Sequence, residues 1–281
     1  MSDKPIPMIL DTDIGDDIDD AYALVLATRW PAVKLEAVTA TYGPTLSRAR
    51  LARKLLDLMG RHDVPVYAAD DKLGSTPQLD WAADYAYTRP VETAPEFLAR
   101  TAHERPGEVT LVTIGPLPNI GHALDLNPEL GRRFKRFVMM AGWIHESYTP
   151  GKPDPEWNVV ADIPAAKKVF TSGADIAMIG LDVTMKAQFG EAYQKRLAEA
   201  GKPWCDALLT LTKLWGHGVP TQHDPLALSM VAGDFCKMER MRLEVDDAGQ
   251  TKQVPGEPNA EAALSVDANR FLDWYVETVS R

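Results

Sequence analysis

The sequence predicts an α/β protein in which a mostly parallel central sheet is flanked by helices, with helical additions towards the C-terminus. Short, nearly continuous apolar segments rich in β-branched residues are typical of strands covered on both faces. Longer segments between them repeat apolar residues every third or fourth position, as amphipathic helices do. The alternation of the two patterns favours parallel strands joined by helical crossovers.

The elements follow one another in a regular order. Six segments have the strand pattern: Ile6 to Leu10, Leu35 to Thr41, Val64 to Ala68, Val109 to Ile114, Phe137 to Ala141 and Ile176 to Leu181. Five segments between them have the helical period: Ile18 to Arg29, Leu46 to Met59, Pro95 to Glu104, Leu117 to Leu126 and Pro164 to Thr171. No repeat or linker interrupts this order, and we therefore expect residues 1–281 to form one domain.

The last third of the chain is more helical. Helices are predicted over Glu191 to Ala200, Trp204 to Trp215 and Val266 to Val279, and a hairpin over Lys237 to Val254. The loop Gly142 to Pro155, which contains two prolines around Asp154, is a candidate flap beside a site.

Composition and charge narrow the classes of function. The 281 residues include 30 Lys and Arg against 40 Asp and Glu, a net charge of −10, which disfavours binding to nucleic acid or anionic membranes. We therefore expect a small molecule or a cation as partner. No apolar run approaches the roughly 20 residues of a membrane-spanning helix. Cys205 and Cys236 are too few for a disulfide framework, so a reducing, cytoplasmic location is expected.

An acidic segment follows the first predicted strand. Six aspartates lie within the ten residues from Asp11 to Asp20, with no Lys or Arg among them. Aspartate is common at the start of a helix, but Asp11 and Asp13 lie too early to cap the helix that follows. Converging carboxylates repel one another unless a cation with a preference for oxygen ligands lies between them. The segment therefore predicts a site for Ca²⁺ or Mg²⁺.

Two further groups of polar residues are candidates for the same site. Asp224, preceded by His223 and followed by Pro225, is either the cap of a helix or a second source of metal ligands. Glu156 and Asn158 follow the candidate flap and are a weak indication on their own.

Together these motifs resemble the nucleoside hydrolases, the inosine/uridine-preferring N-ribohydrolase family. The resemblance runs from Met8 to about Val279. Its motifs are Asp-Thr-Asp-Ile-Gly from Asp11 with Asp19-Asp20-Ala21, Ala37-Val38-Thr39, Thr110-Leu111-Val112 with Gly115, Asn119-Ile120, Val138-Met139-Met140-Ala141-Gly142, Glu156-Trp157-Asn158, Gly180-Leu181-Asp182-Val183-Thr184 and His223-Asp224-Pro225.

The resemblance implies Ca²⁺-dependent hydrolysis of the N-ribosidic bond of ribonucleosides, in purine or pyrimidine salvage, by a homodimer or homotetramer. It assigns Asp13, Asp20, Asp224 and the backbone carbonyl of Ile114 as metal ligands, and Asp13 also as the general base.

The remaining assignments concern the substrate. The resemblance implies that Asp19 accepts from the ribose hydroxyls, with Asp17 as a competitor because this chain has more residues between Gly15 and the aspartate pair than the family's common form. It further implies that the sugar is contacted by Met140, Glu156 and Asn158, and that His223 lies near the base.

Two departures from the family pattern concern substrate binding. Pro44 stands where the family usually has an asparagine that contacts the sugar, and proline cannot donate a hydrogen bond. The segment Leu73 to Pro90 lacks the histidine that generalist members carry. The metal and ribose part of the site is thus retained, and the base pocket differs.

The base pocket is predicted from the aromatic and histidine residues that remain. Trp81, Tyr85 or Trp143 are candidates for stacking on the base, and His223, with His145 on the flap, for donating a proton to it. The other histidines are interpreted as surface or packing residues: His62, His103, His122 and His217.

Two alternatives belong to other classes. A phosphatase similar to the haloacid dehalogenases would use Asp11 as nucleophile and Asp13 as acid or base, but leaves His223 and Asp224 unexplained. A non-catalytic, Ca²⁺-dependent protein that binds a ribosyl ligand is favoured by Pro44, and a turnover assay distinguishes it from a hydrolase.

Overall fold

A computed structural model describes residues 4–69, 72–149, 152 and 154–281. The strands are β1 (Ile6–Thr12), β2 (Val33–Ala40), β3 (Val66–Ala68), β4 (Thr110–Thr113), β5 (Arg136–Met140), β6 (Ile176–Ile179), β7 (Cys236–Met241), β8 (Leu243–Val245), β9 (Thr251–Gln253) and β10 (Ala260–Val266). The helices are α1 (Asp19–Arg29), α2 (Thr45–Leu58), α3 (Pro77–Asp80), α4 (Ala94–Glu104), α5 (Pro118–Leu126), α6 (Leu130–Arg133), α7 (Trp157–Val160), α8 (Ile163–Thr171), α9 (Leu181–Thr184), α10 (Glu191–Glu199), α11 (Pro203–Trp215), α12 (His223–Ser229) and α13 (Ala268–Val279).

The main sheet has eight strands in the order β3-β2-β1-β4-β5-β6-β10-β7. All neighbouring pairs are parallel except β10 and β7. The six predicted strands and the α/β class with a mostly parallel sheet are confirmed. The helical C-terminal part is present in α9 to α13.

Helices cover both faces of the sheet. Alternate residues of a strand point to opposite faces. Leu10 accordingly belongs to a core cluster with residues of α1, α2, α11, α12 and α13, while its neighbour Ile9 belongs to a second cluster with residues of α4, α5 and α8. Both residues are buried, as are all four residues of β4. This two-sided burial explains why the strands read as continuous apolar runs rather than as alternating patterns.

The predicted hairpin over Lys237 to Val254 is wrong as a single unit. Only its second half forms a hairpin, between β8 and β9 around the turn at Asp246. The first half, β7, pairs instead with β10, a strand that was not predicted. Alanine is depleted in strands, and the alanine-rich sequence of β10 therefore gave no strand pattern. The last helix begins at Ala268, because Val266 belongs to β10.

The strand order reverses at β1 and β4. The chain proceeds outwards from β1 to β3 and then returns to β4 on the other side of β1. At such a point the loops that follow the two strands separate and leave a crevice, where α/β proteins bind ligands. Among the helices in the described ranges, none combines the length and hydropathy needed to cross a bilayer.

Candidate active site

A cavity of about 350 Å³ lies at the carboxyl ends of the central strands. Every residue that the family resemblance assigned to the metal, the sugar or catalysis lines it: Asp13, Asp19, Asp20, Ile114, Met140, Glu156, Asn158, His223 and Asp224. Six more residues line it as well: Asp16, Asp17, Tyr148, Trp157, Trp215 and His217.

Three strands bring the inner wall of the cavity together. Asp13 follows β1, Ile114 follows β4 and Met140 is the last residue of β5. The backbone N–H of Ile114 donates to the carbonyl oxygen of Asp11 at 2.9 Å and ties the ends of β1 and β4 together. A side chain on Gly115 would come within 2.6 Å of Asp13 Oδ1, so only glycine permits this approach.

Three buried carboxylates form a cluster on this wall. Oxygen atoms of Asp19, Asp20 and Asp224 lie within 4.8 Å of one another. Each of the three residues is 3% exposed. Asp19, which the sequence analysis assigned to the ribose, thus belongs to the cluster, whereas Asp13 lines the cavity beside it. Asp17 lies outside the cluster and also lines the cavity.

Hydrogen bonds fix the cluster across a long stretch of sequence. The backbone N–H of Asp224 donates to Asp19 Oδ2 at 3.1 Å, which joins α12 to α1. The hydroxyl of Thr12, at the end of β1, donates to Asp20 Oδ1. Gln222, rather than Asp224, is the residue that caps α12, so the interpretation of Asp224 as a simple helix cap is wrong.

Burial dominates the electrostatics of these carboxylates. It raises the pKa of Asp19, Asp20 and Asp224 well above the usual range, and the neighbouring carboxylates raise it further. Burial also raises the pKa of Asp13 to about 6, although the positive charge of Arg48 opposes this rise. The wall therefore has a strong affinity for positive charge, whether protons or a metal cation.

The sequence analysis missed Arg48, which supports the acidic loop of the site. It lies on α2, is 2% exposed and donates from Nη1 to the carbonyl oxygens of Asp13 and, at 3.1 Å, Ile14. Its Nε donates to the carbonyl oxygen of Tyr42 at 2.8 Å, and its Nη2 lies 3.5 Å from Asp16 Oδ2. Arg48 thus holds the backbone of the acidic loop and supplies positive charge beside it.

The outer side of the acidic loop is held by the segment around α3. Thr76 donates through its hydroxyl to the carbonyl oxygen of Gly15, and Gln78 Nε2 donates to those of Asp16 at 2.9 Å and Asp17 at 3.2 Å. Gly15 has a φ of 104°, and a side chain there would overlap Leu79. These contacts stabilise a loop whose carboxylates would otherwise repel one another.

Glu156 and Asn158 line the cavity at the start of α7. The carboxylate of Glu156 accepts from the backbone N–H groups of Asn158 at 2.8 Å, Val159 at 3.2 Å and Gly142 at 3.0 Å, so it fixes α7 against the end of β5. Burial raises its pKa to about 7. Asn158 Nδ2 donates to the carbonyl oxygens of Ile114 and Met140, both at 3.0 Å.

Aromatic side chains line the mouth of the cavity. Tyr148 and Trp157 are 54% and 48% exposed, and Trp215 and His217 come from the end of α11 and the loop after it. Exposed aromatic rings at the mouth of a polar cavity suit a flat ligand. His217 is exposed and packs against Trp215, as predicted, but it also lines the cavity.

The predicted stacking residues lie elsewhere. Lys54 Nζ lies over the ring of Trp81, and the hydroxyl of Tyr85 donates to Asp57 Oδ2 at 2.7 Å. Trp143 Nε1 donates to the carbonyl oxygen of Asp154 at 2.8 Å. None of the three lines the cavity, nor does His145, so their assignment to the base pocket is wrong.

His223 lies deep in the cavity. Its Nδ1 is 2.7 Å from the hydroxyl of Thr184, and burial lowers its pKa to about 4. The edge of the ring faces Tyr148, with 6.3 Å between the ring centroids. The imidazole is thus fixed in orientation and neutral at pH 7.

The base of the candidate flap is held by Asp182. Its carboxylate accepts from the backbone N–H groups of Ile144 and His145, both at 2.7 Å, and of Glu146 at 3.1 Å. Pro150, Gly151 and Pro153 of the predicted flap lie outside the described residues.

The structure also bears on the two alternative functions, a phosphatase and a non-catalytic binding protein. Asp11 is fully buried, and its Oδ1 accepts from Thr39 and, at 2.8 Å, from Asn119, so it is inaccessible as the nucleophile of a phosphatase. Pro44 caps α2 and does not line the cavity. The departure that favoured a non-catalytic binding protein therefore lies outside the cavity wall.

Comparisons with known proteins agree with this geometry. The family described as inosine-uridine preferring nucleoside hydrolase matches residues 8–273. The chain is 30% identical to a pyrimidine-specific ribonucleoside hydrolase, RihA, from Citrobacter koseri, over 98% of both chains.

Solved structures show the same fold. A plant nucleoside hydrolase superposes with a TM-score of 0.88 at 23% identity, covering 98% of this chain and 99% of the other. A purine-preferring ribonucleoside hydrolase from Gardnerella vaginalis superposes with a TM-score of 0.81 at 25% identity, covering 98% of each chain. The chain belongs to the inosine-uridine preferring nucleoside hydrolase family.

Proposed function

We propose that this protein hydrolyses the N-ribosidic bond of ribonucleosides to free ribose and base, with Ca²⁺ as cofactor. The observation that carries the proposal is the cluster of buried carboxylates from Asp19, Asp20 and Asp224, with Asp13 beside it, on the wall of one cavity. The curated relatives and solved structures include pyrimidine-specific and purine-preferring enzymes. The proposal therefore covers ribonucleosides and leaves the base open.

The donor set fits a divalent cation that prefers oxygen. The cluster contains carboxylates alone, and burial raises the pKa of each of them, so charge compensation is required when they are ionised. Asp20 and Asp224 would hold the cation, with Asp13 or Asp19 and the carbonyl oxygen of Ile114 at its side. A cation bound there supplies positive charge that orients ribose hydroxyls and acidifies water.

The chain's own residues perform the remaining steps. Asp13 takes a proton from the water that attacks the anomeric carbon, a role suited to a carboxylate whose pKa is about 6. Carboxylates on the wall stabilise the positive charge that develops on the ribosyl group. Glu156 and Asn158, fixed by their hydrogen bonds, orient the sugar and lower the entropic part of the barrier.

The test is release of ribose from a ribonucleoside. Purified protein is incubated with inosine or uridine, with Ca²⁺ or a chelator, and both free base and reducing sugar are measured. We expect equal amounts of the two products with Ca²⁺ and little of either after chelation. Binding of ribose without turnover of any nucleoside would instead identify a binding protein.

The proposal also covers the cellular compartment and the oligomeric state of the protein. Cys205 and Cys236 are free thiols, in agreement with a role in nucleoside salvage in a reducing cytoplasm. A homodimer or homotetramer is expected, and light scattering of the purified protein measures its mass.

A further inference from the structure

His217 occupies an unusual position at the mouth of the cavity. It lies in the sequence Trp215-Gly216-His217-Gly218, directly after α11. Gly216 and Gly218 have φ values of 72° and 94°, a left-handed conformation that favours glycine. The two glycines thus permit a turn in which the ring of His217 packs edge-on against Trp215, with 5.2 Å between the ring centroids.

The imidazole of His217 is available to a ligand. It lines the same cavity as Asp13, it is exposed, and none of the described residues forms a hydrogen bond with its ring. Asp17 lines the same cavity as His217.

The aromatic rings at the mouth of the cavity suit a flat base, and the reaction needs a proton donor beside that base. When the bond between ribose and base breaks, its electron pair stays on the nitrogen of the base, and the departing anion is stabilised by a proton. Histidine is the side chain whose charge changes around neutral pH. His223 lies deeper, with one ring nitrogen already engaged by Thr184.

We propose that His217 is a catalytic residue that protonates the departing base. The water oxygen bonds to the anomeric carbon and its proton passes to Asp13. The bond to the base nitrogen breaks with its electron pair on the base, and the imidazolium of His217 supplies the proton that makes the base neutral. Asp13 returns the proton that His217 has lost, through solvent, so that one nucleoside and one water give ribose and base.

This inference rests on the proposed hydrolase function, and substrates of two kinds separate the two claims. Natural nucleosides need a protonated leaving group, whereas p-nitrophenol leaves without one. For His217→Ala we expect kcat/KM for inosine or uridine to fall by about 10²- to 10³-fold, within the range for a placed proton donor. For p-nitrophenyl riboside we expect a change of less than about threefold, since the change concerns leaving-group protonation alone.

Two further variants serve as controls. His217→Gln keeps a polar side chain that cannot act as an acid, and we expect it to behave as His217→Ala does. His103→Ala removes an exposed histidine from the end of α4 and should leave both substrates unaffected.

The outcomes distinguish the two claims. Equal losses on both kinds of substrate, or no loss on the natural nucleosides, would overturn the role of His217 while hydrolysis by the wild type still supports the proposed function. A wild type that cleaves neither kind of substrate would overturn the proposed function and this inference with it.

Discussion

Replacement of Arg48 by methionine tests how the protein holds a loop with so many carboxylates. The substitution keeps an unbranched, shorter side chain but removes the donors to the carbonyl oxygens of Asp13, Ile14 and Tyr42. A buried acceptor left without a partner costs about 1 to 2 kcal/mol, so three of them lower the free energy of unfolding by about 3 to 6 kcal/mol. At about 2 to 3 °C per kcal/mol, Tm falls by about 6 to 18 °C.

The same substitution affects the rate. Arg48 holds the backbone of Asp13, and a small displacement of a catalytic group can cost about 10²-fold in rate. The positive charge of Arg48 also opposes the rise in the pKa of Asp13. Its loss raises that pKa further, so the acidic limb of the profile of kcat/KM against pH should move to higher pH.

The assays are thermal melting and kinetics of nucleoside hydrolysis, with two reference variants. Arg48→Lys keeps the charge but not the forked donors, and an intermediate loss of stability is expected. Arg50→Met is the matched control, because Arg50 lies on the same helix and has no ion pair or hydrogen bond with any described residue. Its stability and kinetics should therefore stay close to those of the wild type. A Tm of Arg48→Met within 2 °C of wild type, with unchanged kinetics, would refute the reasoning.

Three other outcomes are expected. Chelation should lower Tm and Ca²⁺ should restore it, by about 2.7 kcal/mol of stability at a hundredfold excess over Kd; Asp224→Ala should abolish this response, and a chelator without effect on either Tm or metal content would exclude the site. In the chelated protein the raised pKa values of Asp19, Asp20 and Asp224 mean that the folded state binds protons more tightly than the unfolded state, so stability is lost as pH rises from about 4. Melting temperatures measured at pH 5.5 and 7.5 should therefore be higher at pH 5.5, and saturation with Ca²⁺ should reduce that difference; a chelated protein more stable at pH 7.5 would contradict it. Deoxyribonucleosides should be cleaved about 10- to 100-fold more slowly than ribonucleosides, because they lack a hydroxyl that binds charged groups; equal kcat/KM values would contradict the assignment.

The inner wall of the site was predictable from local sequence. Asp13, Ile114 and Met140 each end or follow a strand, and the carboxyl ends of parallel strands meet at one edge of the sheet. The prediction that Asp224 lies near Asp20 came from the resemblance to the family, whose motifs occur in the same order along this chain. The cluster contains Asp19, with Asp13 beside it, whereas the resemblance assigned Asp13 to the metal and Asp19 to the ribose. This arrangement depends on helix packing between α1 and α12, which no local pattern specifies.

The mouth of the site was not predictable in the same way. Tyr148 and His217 lie on loops, and loop direction depends on long-range contacts such as those of Asp182 with the flap. Arg48 did leave a sign in the sequence: it lies three, four and seven residues before buried residues of α2, and so on the apolar face of that helix. A charged residue on such a face is rarely buried without a partner.

Hydrolysis by Asp13→Asn is the most direct test of the proposed site. The substitution preserves shape and one oxygen atom but removes the group that accepts a proton from water. We expect the variant to fold with an unchanged circular dichroism spectrum while kcat for inosine or uridine falls by at least about 10²-fold. A variant that is folded and releases ribose at the wild-type rate would show that Asp13 is not the base and that the account of this site is wrong.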